Sequence, residues 1–247
     1  MADNGLDFEQ LLATGLFSTG SSGRLEIEIV IRVTDPDGNF NDFTRTILVS
    51  DVAENLVTGG TTESDFIEGT TLADIISGGD DDDFLFGKAG DDIISGQLGD
   101  DILAGNAGND LLRGGGGVDI IKGGADDDRI WGGNHDDFLF GGGGDDKIEG
   151  GKGDDLLKDG LGRDRLTGNQ GDDIFVIAAD NEKDMILDFE DGKDLIRMDG
   201  VNDFADLSIS TLSPGKVLIR NGADRLVVFD TGGVLTASDL TVDDFIL

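Results

Sequence analysis

The chain has 247 residues, with 53 acidic and 18 basic side chains, a formal net charge of −35 and no cysteine. This excess of carboxylates excludes nucleic acid as a natural partner, because phosphate binding needs surfaces rich in lysine and arginine. It also predicts that the compact state repels itself unless counter-ions bind. Because the chain has no cysteine, disulfides contribute nothing to its stability.

The first 59 residues contain one predicted β-hairpin. For residues 6–13 a short helix and an irregular start are both open. Residues 25–33 and 43–49 alternate apolar and polar side chains and are rich in β-branched residues, which predicts two strands. Residues 35–38 combine proline and glycine as a tight turn does. We expect this hairpin to cap the repetitive segment that begins at Gly60, because a stack of repeats leaves an open edge at each end.

Residues 32–55 (RVTDPDGNFNDFTRTILVSDVAEN) resemble the last hairpin and exit linker of a bacterial cadherin-like repeat. That resemblance implies calcium binding by Asp35, Asp37, Asp51 and Glu54.

Residues 60–176 are thirteen nine-residue units without an insertion. The first residue of a unit is glycine everywhere except at Asp159, the sixth is always aspartate and the eighth is always apolar. A disordered linker has no reason to keep this phase, so the pattern predicts a repeat fold. The sixth-position aspartates are Asp65, Asp74, Asp83, Asp92, Asp101, Asp110, Asp119, Asp128, Asp137, Asp146, Asp155, Asp164 and Asp173.

Each unit combines the features of a turn and of a short strand. The glycine-rich hexapeptide can adopt positive φ values and aim carbonyl oxygens at an ion. The last three residues predict a strand whose middle side chain points to one face and whose neighbours point to the other. Two units would make one turn of a flattened roll with a thin Leu/Ile core. Turn carbonyls and aspartates can together supply the roughly six to eight oxygen ligands that Ca²⁺ takes.

Units such as GGGGDDKIE (141–149) and GGKGDDLLK (150–158) resemble the GGxGxDxUx repeat of the RTX, or haemolysin-type calcium-binding, family. The resemblance implies an all-β fold. A parallel β-roll (60–176) would be flanked by the hairpin segment (1–59) and by an antiparallel carboxyl-terminal cap (177–247).

In that family each ion lies between a turn and the turn stacked on it two units later. The resemblance implies ligation by both sixth-position aspartates, by carbonyls of the second and fourth positions of the first turn, and by carbonyls of the first and third positions of the next. One site would combine Gly142, Gly144 and Asp146 with Asp159, Leu161 and Asp164. The other implied main-chain ligands are Gly79, Asp81, Gly90, Gly96, Leu98, Gly99, Gly105, Ala107, Gly108, Gly114, Gly116, Gly117, Gly123, Ala125, Asp126, Gly132, Asn134, Gly141, Gly143, Gly150, Lys152, Gly153, Gly168 and Gln170.

The stacking pattern sets the number of ions. Thirteen units leave eleven gaps between stacked turns. The first two units, GTTESDFIE and GTTLADIIS, lack glycine at the second and fourth positions, so about nine to eleven Ca²⁺ are expected. Folding should then be coupled to the metal, with an unfolded chain in its absence.

The carboxyl-terminal segment carries three predicted strands, at 207–210, 216–220 and 225–229. Residues 184–198 (DMILDFEDGKDLIRM) resemble the segment that follows the roll in secreted serralysin-type proteases. That resemblance implies one further calcium ion near Asp184, Asp188 and Asp194.

The chain ends in an acidic residue followed by three apolar ones, Asp244, Phe245, Ile246 and Leu247. This ending resembles the uncleaved signal of Gram-negative type I secretion substrates, although an ordinary last strand would have the same pattern. The start of the chain lacks the basic region and the apolar core of a Sec signal. We therefore expect export by the type I secretion machinery and then folding in extracellular calcium.

An enzyme is not predicted. The only histidine, His135, stands at a turn-glycine position, and no phosphate loop or dinucleotide fingerprint is present. The favoured function is a structural or adhesive extracellular protein. The alternatives are the non-catalytic module of a secreted protease, lipase or alginate epimerase, and a calcium-dependent membrane-active protein.

The seventh position should point outward and differs between odd and even units. Even units become basic in the second half of the roll, at Arg129, Lys147 and Arg165. The odd units are apolar throughout, at Phe66, Phe84, Ile102, Ile120, Phe138, Leu156 and Ile174. Either the hairpin, the cap or a second copy of the chain covers this row, or the row only reflects β propensity.

Overall fold

The structure is a computed structural model that describes residues 17–19, 25–34, 40–49, 56–230 and 232–247. These residues form strands and short turns, with no α-helix among them and no helix of the length and apolarity that crossing a bilayer requires. Residues 6–13, for which a helix and an irregular start were both open, lie outside the described residues. So do the predicted turn at 35–38 and the candidate ligands Asp35, Asp37, Asp51 and Glu54.

The amino-terminal hairpin is present. Strands β1 (Phe17–Thr19), β2 (Leu25–Thr34) and β3 (Phe40–Val49) form an antiparallel sheet in that order. β2 and β3 pair without a break from Leu25 opposite Val49 to Thr34 opposite Phe40. Both predicted strands are confirmed, and β1 adds a third.

The roll begins at β4 and runs to β17. Its strands are β4 (Val57–Gly59), β5 (Phe66–Glu68), β6 (Ile75–Gly79), β7 (Phe84–Ala89), β8 (Ile93–Leu98), β9 (Ile102–Ala107), β10 (Leu111–Gly116), β11 (Ile120–Ala125), β12 (Arg129–Asn134), β13 (Phe138–Gly143), β14 (Lys147–Lys152), β15 (Leu156–Leu161), β16 (Arg165–Gln170) and β17 (Ile174–Ile177).

Successive strands alternate between two parallel sheets. The even sheet contains the even-numbered strands from β4 to β16, and the odd sheet contains the odd-numbered strands from β5 to β17. Leu112 pairs with Ile130 in the even sheet, and Ile121 pairs with Leu139 in the odd sheet, each eighteen residues apart. This register confirms the prediction of two units per turn. The hairpin also approaches the roll, with Cα atoms of β3 within 8 Å of β5, the first strand of the odd sheet.

Most strands of the roll have six residues instead of the three expected. Each runs on through the first three positions of the next unit, because those residues also pair with the turn above, as Gly115 does with Gly133. The glycine-rich half of the unit is therefore part strand and part turn.

The core of the roll is a single column of eighth-position side chains from each sheet. From Leu85 to Phe175 every one of them is fully buried, whereas the seventh-position Phe66, Phe84 and Phe138 are 44%, 42% and 43% exposed. One fully buried apolar side chain per nine residues is a thin core, and such folds need a further source of stability.

The cap continues both sheets. β18 (Lys183–Ile186) extends the even sheet and β19 (Leu195–Met198) the odd sheet. The predicted strands are confirmed as β20 (Ser208–Ser213), β21 (Lys216–Asn221) and β22 (Asp224–Phe229), which are antiparallel to one another. β22 pairs parallel with β18, so the predicted boundary at 176/177 marks the end of the repeat and not the end of either sheet.

Two 3-10 turns, Phe204–Asp206 and Val242–Asp244, complete the cap. Phe245 follows the second turn and packs edge-on against Phe204, with ring centroids 5.3 Å apart. The N–H of Ile246 donates to the carbonyl of Ile196 at 3.0 Å. The last residues thus belong to the folded cap, and their expected role as a secretion signal stays a prediction.

Candidate calcium sites

The sixth-position aspartates form two ladders, one along each sheet. From Asp83 onward, Oδ1 of each accepts the main-chain N–H of the sixth-position residue two units earlier. Asp101 donates to Asp119 at 2.9 Å, and Asp119 donates to Asp137 at 2.8 Å. These bonds tie each turn to the next one along the roll, a task that a side-chain oxygen at the sixth position performs.

The second oxygen of most of these carboxylates has no partner in the protein. The Oδ2 atoms that are buried and accept no hydrogen bond belong to Asp83, Asp92, Asp101, Asp110, Asp119, Asp128, Asp137, Asp146, Asp155, Asp159 and Asp164. A buried carboxylate oxygen without a partner is costly, and a regular row of them points to a cation.

The raised pKa values of these carboxylates reflect the same cost of burying a charge without a partner. Burial, opposed by the N–H of Asp110 and reinforced by neighbouring carboxylates, raises the pKa of Asp128 to about 8. Burial likewise raises the pKa of Asp137 to about 8 and that of Asp119 to about 7. The desolvation of closely stacked carboxylates is the first cause, so a bound cation would restore their ionised form.

The first-position glycines line the space into which Oδ2 points. A Cβ at Gly114 would lie 2.1 Å from Oδ2 of Asp119 and 2.7 Å from the carbonyl oxygen of Gly132 in the next turn. No positive φ requires glycine at Gly114, so space decides here. A carboxylate and a carbonyl of successive turns thus converge on one small volume.

This set of donors fits Ca²⁺. It consists only of carboxylate and carbonyl oxygens, which a hard cation prefers, and it is repeated in register along both sheets. Of the implied ligands, the sixth-position aspartates and the first-position carbonyls, such as those of Gly132 and Gly150, are brought together in this way.

The family comparison agrees with this geometry. The model of the RTX calcium-binding nonapeptide repeat (4 copies) matches residues 59–94, 78–112, 95–128, 113–148 and 149–181. The roll of this chain belongs to the RTX calcium-binding nonapeptide repeat family. No curated protein matches the chain significantly.

Two solved structures resemble the RTX chain in part. The AlgE6R3 subunit of the mannuronan C5-epimerase from Azotobacter vinelandii is 24% identical, with a TM-score of 0.37 over 49% of this chain and 78% of that one. The extracellular lipase LipA from Serratia marcescens is 16% identical, with a TM-score of 0.40 over 74% of this chain. The match spans 40% of the lipase.

Positive φ values in the RTX roll occur at the second and fourth positions of the units. Seven non-glycine residues adopt them there, namely Asp81, Lys88, Gln97, Asn106, Asp126, His135 and Asn169. A Cβ at Gly133 or at Gly144 would lie 2.2 or 2.3 Å from the carbonyl oxygen at the same position of the turn before. His135 is therefore a turn residue in a left-handed conformation, which agrees with its predicted role.

The third-position carbonyls have a different environment from the one expected. Those of Ala107, Gly116 and Ala125 each accept a main-chain N–H from the fourth position of the turn before, at 2.9, 2.9 and 3.2 Å. Each carbonyl retains a second lone pair. Their ligation of calcium stays a prediction.

The first two RTX units satisfy their aspartates without a metal. Oδ2 of Asp65 accepts the N–H of Thr61 at 2.6 Å and its hydroxyl at 3.0 Å. Asp74 accepts the N–H of Thr70 on Oδ2 at 2.5 Å and its hydroxyl on Oδ1 at 3.1 Å. Neither Asp65 nor Asp74 has a buried oxygen without a partner. The threonine at the second position of each of these two units thus donates the hydrogen bonds that the sixth-position Oδ2 lacks in most later units.

A second ladder on the outside of the roll was not predicted. The exposed fifth-position carboxylates accept the N–H of the fifth residue two units later, as Asp136 does from Asp154 at 2.8 Å. The side-chain oxygen of Asn109 likewise accepts the N–H of Asp127 at 3.1 Å. The signal was present in the sequence, since the fifth position is Asp or Asn in nine of the last eleven units.

The three acidic residues after the roll are divided between two tasks. Asp184 and Asp194 extend the two ladders by accepting the N–H groups of Asp164 and Asp173 at 3.1 and 3.0 Å. Both oxygens of Asp188 accept main-chain N–H groups of unit thirteen. The other oxygen of Asp194 accepts the N–H of Glu190 at 2.7 Å. Of these three, only Asp184 lies in a cluster of metal-binding geometry, together with Asp159 and Asp164.

Proposed function

We propose that this chain is a secreted protein, or the carboxyl-terminal module of one, whose RTX roll folds when it meets extracellular calcium after type I export. The observation that carries the proposal is the row of buried, unpartnered Oδ2 atoms from Asp83 to Asp164. Without a cation these carboxylates repel one another in a dry interior, so the unfolded chain is favoured.

The stacked sites suit an extracellular setting. About nine gaps, from the one between units three and five to the one between units eleven and thirteen, hold an aspartate oxygen without a protein partner. Extracellular calcium modules typically bind at about 0.1–1 mM. A chain that stays unfolded below that level can pass an exporter and fold outside.

Export is tested in a Gram-negative host that carries a type I exporter for an RTX protein. We expect the chain in the medium only when the exporter is present, and retention in the cell of a variant that lacks residues 244–247. Equal export of that variant, or release without the exporter, would contradict the role of Asp244, Phe245, Ile246 and Leu247.

We propose that the chain is itself non-catalytic and serves a structural or adhesive purpose. The support is that each sixth-position carboxylate in units three to thirteen is already engaged in the ladder, and that His135 stands in a strained turn. The alternatives are a module of a secreted protease, lipase or epimerase and a calcium-dependent membrane-active protein. Dye release from liposomes at millimolar calcium would favour the last of these.

A further inference from the structure

Asp159 is the one residue that replaces the first-position glycine of a unit. Elsewhere a Cβ at this position would lie 2.0–2.7 Å from the sixth-position Oδ2 of the same unit. In unit twelve a whole carboxylate enters that space. Asp159 is 1% exposed, and its Oδ2 accepts no hydrogen bond. Its Oδ1 accepts the N–H groups of Gly160 and Ala178 at 2.5 and 2.9 Å.

The end of the nonapeptide register makes room for this side chain. Asp164 donates its N–H to Asp184, twenty residues later, where the repeat would use eighteen. Ile177 stands eighteen residues after Asp159, where the repeat would place the first residue of the next stacked unit. Its carbonyl oxygen accepts the N–H of Asp199 at 2.8 Å. The gap above unit twelve therefore differs from every gap below it.

Three carboxylates meet in this gap. Asp159, Asp164 and Asp184 each offer one oxygen, and the three oxygens all lie within 4.8 Å of one another. All three residues are buried, and no ion pair among the described residues reaches them. Ligands on opposite sides of a Ca²⁺ ion are about 4.8 Å apart, so the three oxygens fit one coordination sphere.

We propose that Asp159, Asp164 and Asp184 bind one further calcium ion at the carboxyl-terminal end of the even sheet. This inference rests on the proposed function in one respect: the proposed function identifies the ion as calcium. The RTX resemblance implies two aspartates for each stacked site, whereas three carboxylates meet in this gap. Because calcium affinity grows with the number of charged ligands, this ion should be among the last released to a chelator.

The test counts ions by native mass spectrometry of the full chain in calcium-buffered solution. We expect Asp159→Asn to bind the ion of this gap roughly tenfold more weakly. At a free calcium concentration that only just saturates the parent chain, the variant should therefore carry one calcium fewer. The matched control is Asp154→Asn. Asp154 is an exposed fifth-position carboxylate whose Oδ1 accepts the N–H of Asp172, a task that asparagine performs at Asn109. It should keep the parental count.

An unchanged count in Asp159→Asn would overturn the proposal. Asp159→Gly, which restores the glycine of the repeat, gives the same readout if the asparagine variant folds poorly. Crystals of the parent chain exchanged with strontium provide an independent measurement. An anomalous peak among the three carboxylates is expected, and its absence there with peaks in the stacked gaps would overturn this site alone. A chain that folds and binds no calcium anywhere would instead overturn the proposed function.

Discussion

The N–H of Asp119 donates a hydrogen bond of 2.8 Å to Oδ1 of Asp137, while Oδ2 of the same Asp137 carboxylate is buried and accepts none. One side chain thus holds the turn before it with one oxygen and presents the other to the space between the turns. This division explains why the sixth position needs a carboxylate, since an amide could perform only the first task.

Replacement of Asp137 by asparagine separates the two tasks. The amide oxygen can keep the bond from Asp119, but the amide nitrogen cannot bind a cation. We expect the calcium concentration at the folding midpoint to rise roughly two- to tenfold in a circular dichroism titration. The control is Asp136→Asn at the exposed neighbouring position, which should leave the midpoint unchanged. An equal shift in both variants would show that net charge, and not ligation, is responsible.

The first-position glycine can be tested within one unit. Gly114→Ala would place a Cβ 2.1 Å from Oδ2 of Asp119, whereas the nearest atom to a Cβ at Gly116 is a side-chain carbon of Leu98 at 3.6 Å. In urea unfolding at saturating calcium, Gly114→Ala should lower the free energy of unfolding by about 1–3 kcal/mol. Gly116→Ala should be neutral or slightly stabilising, by less than about 1 kcal/mol. The reverse order would refute the steric account.

His135 tests the backbone of the turn. Its φ is 77°, a value that favours glycine. We expect His135→Gly to raise the free energy of unfolding by roughly 0.5–1 kcal/mol, because it removes the strain at some cost in unfolded-state entropy. His135→Ala keeps the strain and should bring no gain. If both variants stabilise the roll equally, the imidazole ring and not the backbone conformation is the cause.

Protons should partly replace calcium. In the folded roll, burial raises the pKa of Asp119 to about 7 and those of Asp128 and Asp137 to about 8, all above the ordinary aspartate pKa of 3.8 that the unfolded chain would show. The folded state therefore binds more protons than the unfolded state between pH values of about 4 and 8, and its stability falls as the pH rises through that window.

Calcium-free protein should consequently gain β signal in circular dichroism as the pH is lowered from about 8 towards 4. Calcium-saturated protein should change little over the upper half of this range. Sedimentation of each sample serves as a control for precipitation near the pI of about 4.1. A calcium-free chain that is more structured at high pH than at low pH would contradict the assignment.

The apolar row of the odd sheet yields a prediction about self-association. Phe66, Phe84 and Ile102 are consecutive partners in register, and Phe138 continues the row. If a second copy covers this row, light scattering in calcium should show a dimer that Phe84→Lys and Phe138→Lys convert to a monomer. A monomer before and after substitution would remove the hypothesis.

The periodic part of the fold could be predicted from the sequence because each unit repeats the same local rules. Aspartate at the sixth position and an apolar residue at the eighth are enough to place the turns, the two sheets and the core. The reason for the first-position glycine is only half visible in the sequence. Positive φ explains glycine at the second position, as at Gly133, but not at the first. At Gly114 the neighbouring carboxylate excludes a side chain.

The features that could not be predicted depend on residues far apart in the chain. The parallel pairing of Lys183 with Arg225 joins β22 to β18 at the end of the even sheet and has no local signature. In the sequence Asp159 is only an exception to the first-position glycine. The folded structure is needed to show that its carboxylate lies beside Asp164 and Asp184. The fifth-position ladder has a signal in the sequence, an Asp or Asn in nine of the last eleven units. Its role is not apparent from that signal, because exposed aspartates ordinarily need no explanation.

The most direct test of calcium-coupled folding is a calcium titration of chelator-treated protein, monitored by far-UV circular dichroism and by the fluorescence of Trp131. Trp131, the single tryptophan, lies on β12 between the cationic groups of Arg113 and Lys147, 5.2 and 5.8 Å from its ring centroid. We predict a cooperative rise of both signals at about 0.1–1 mM calcium and none with magnesium. A roll already folded in chelator at neutral pH would contradict the account.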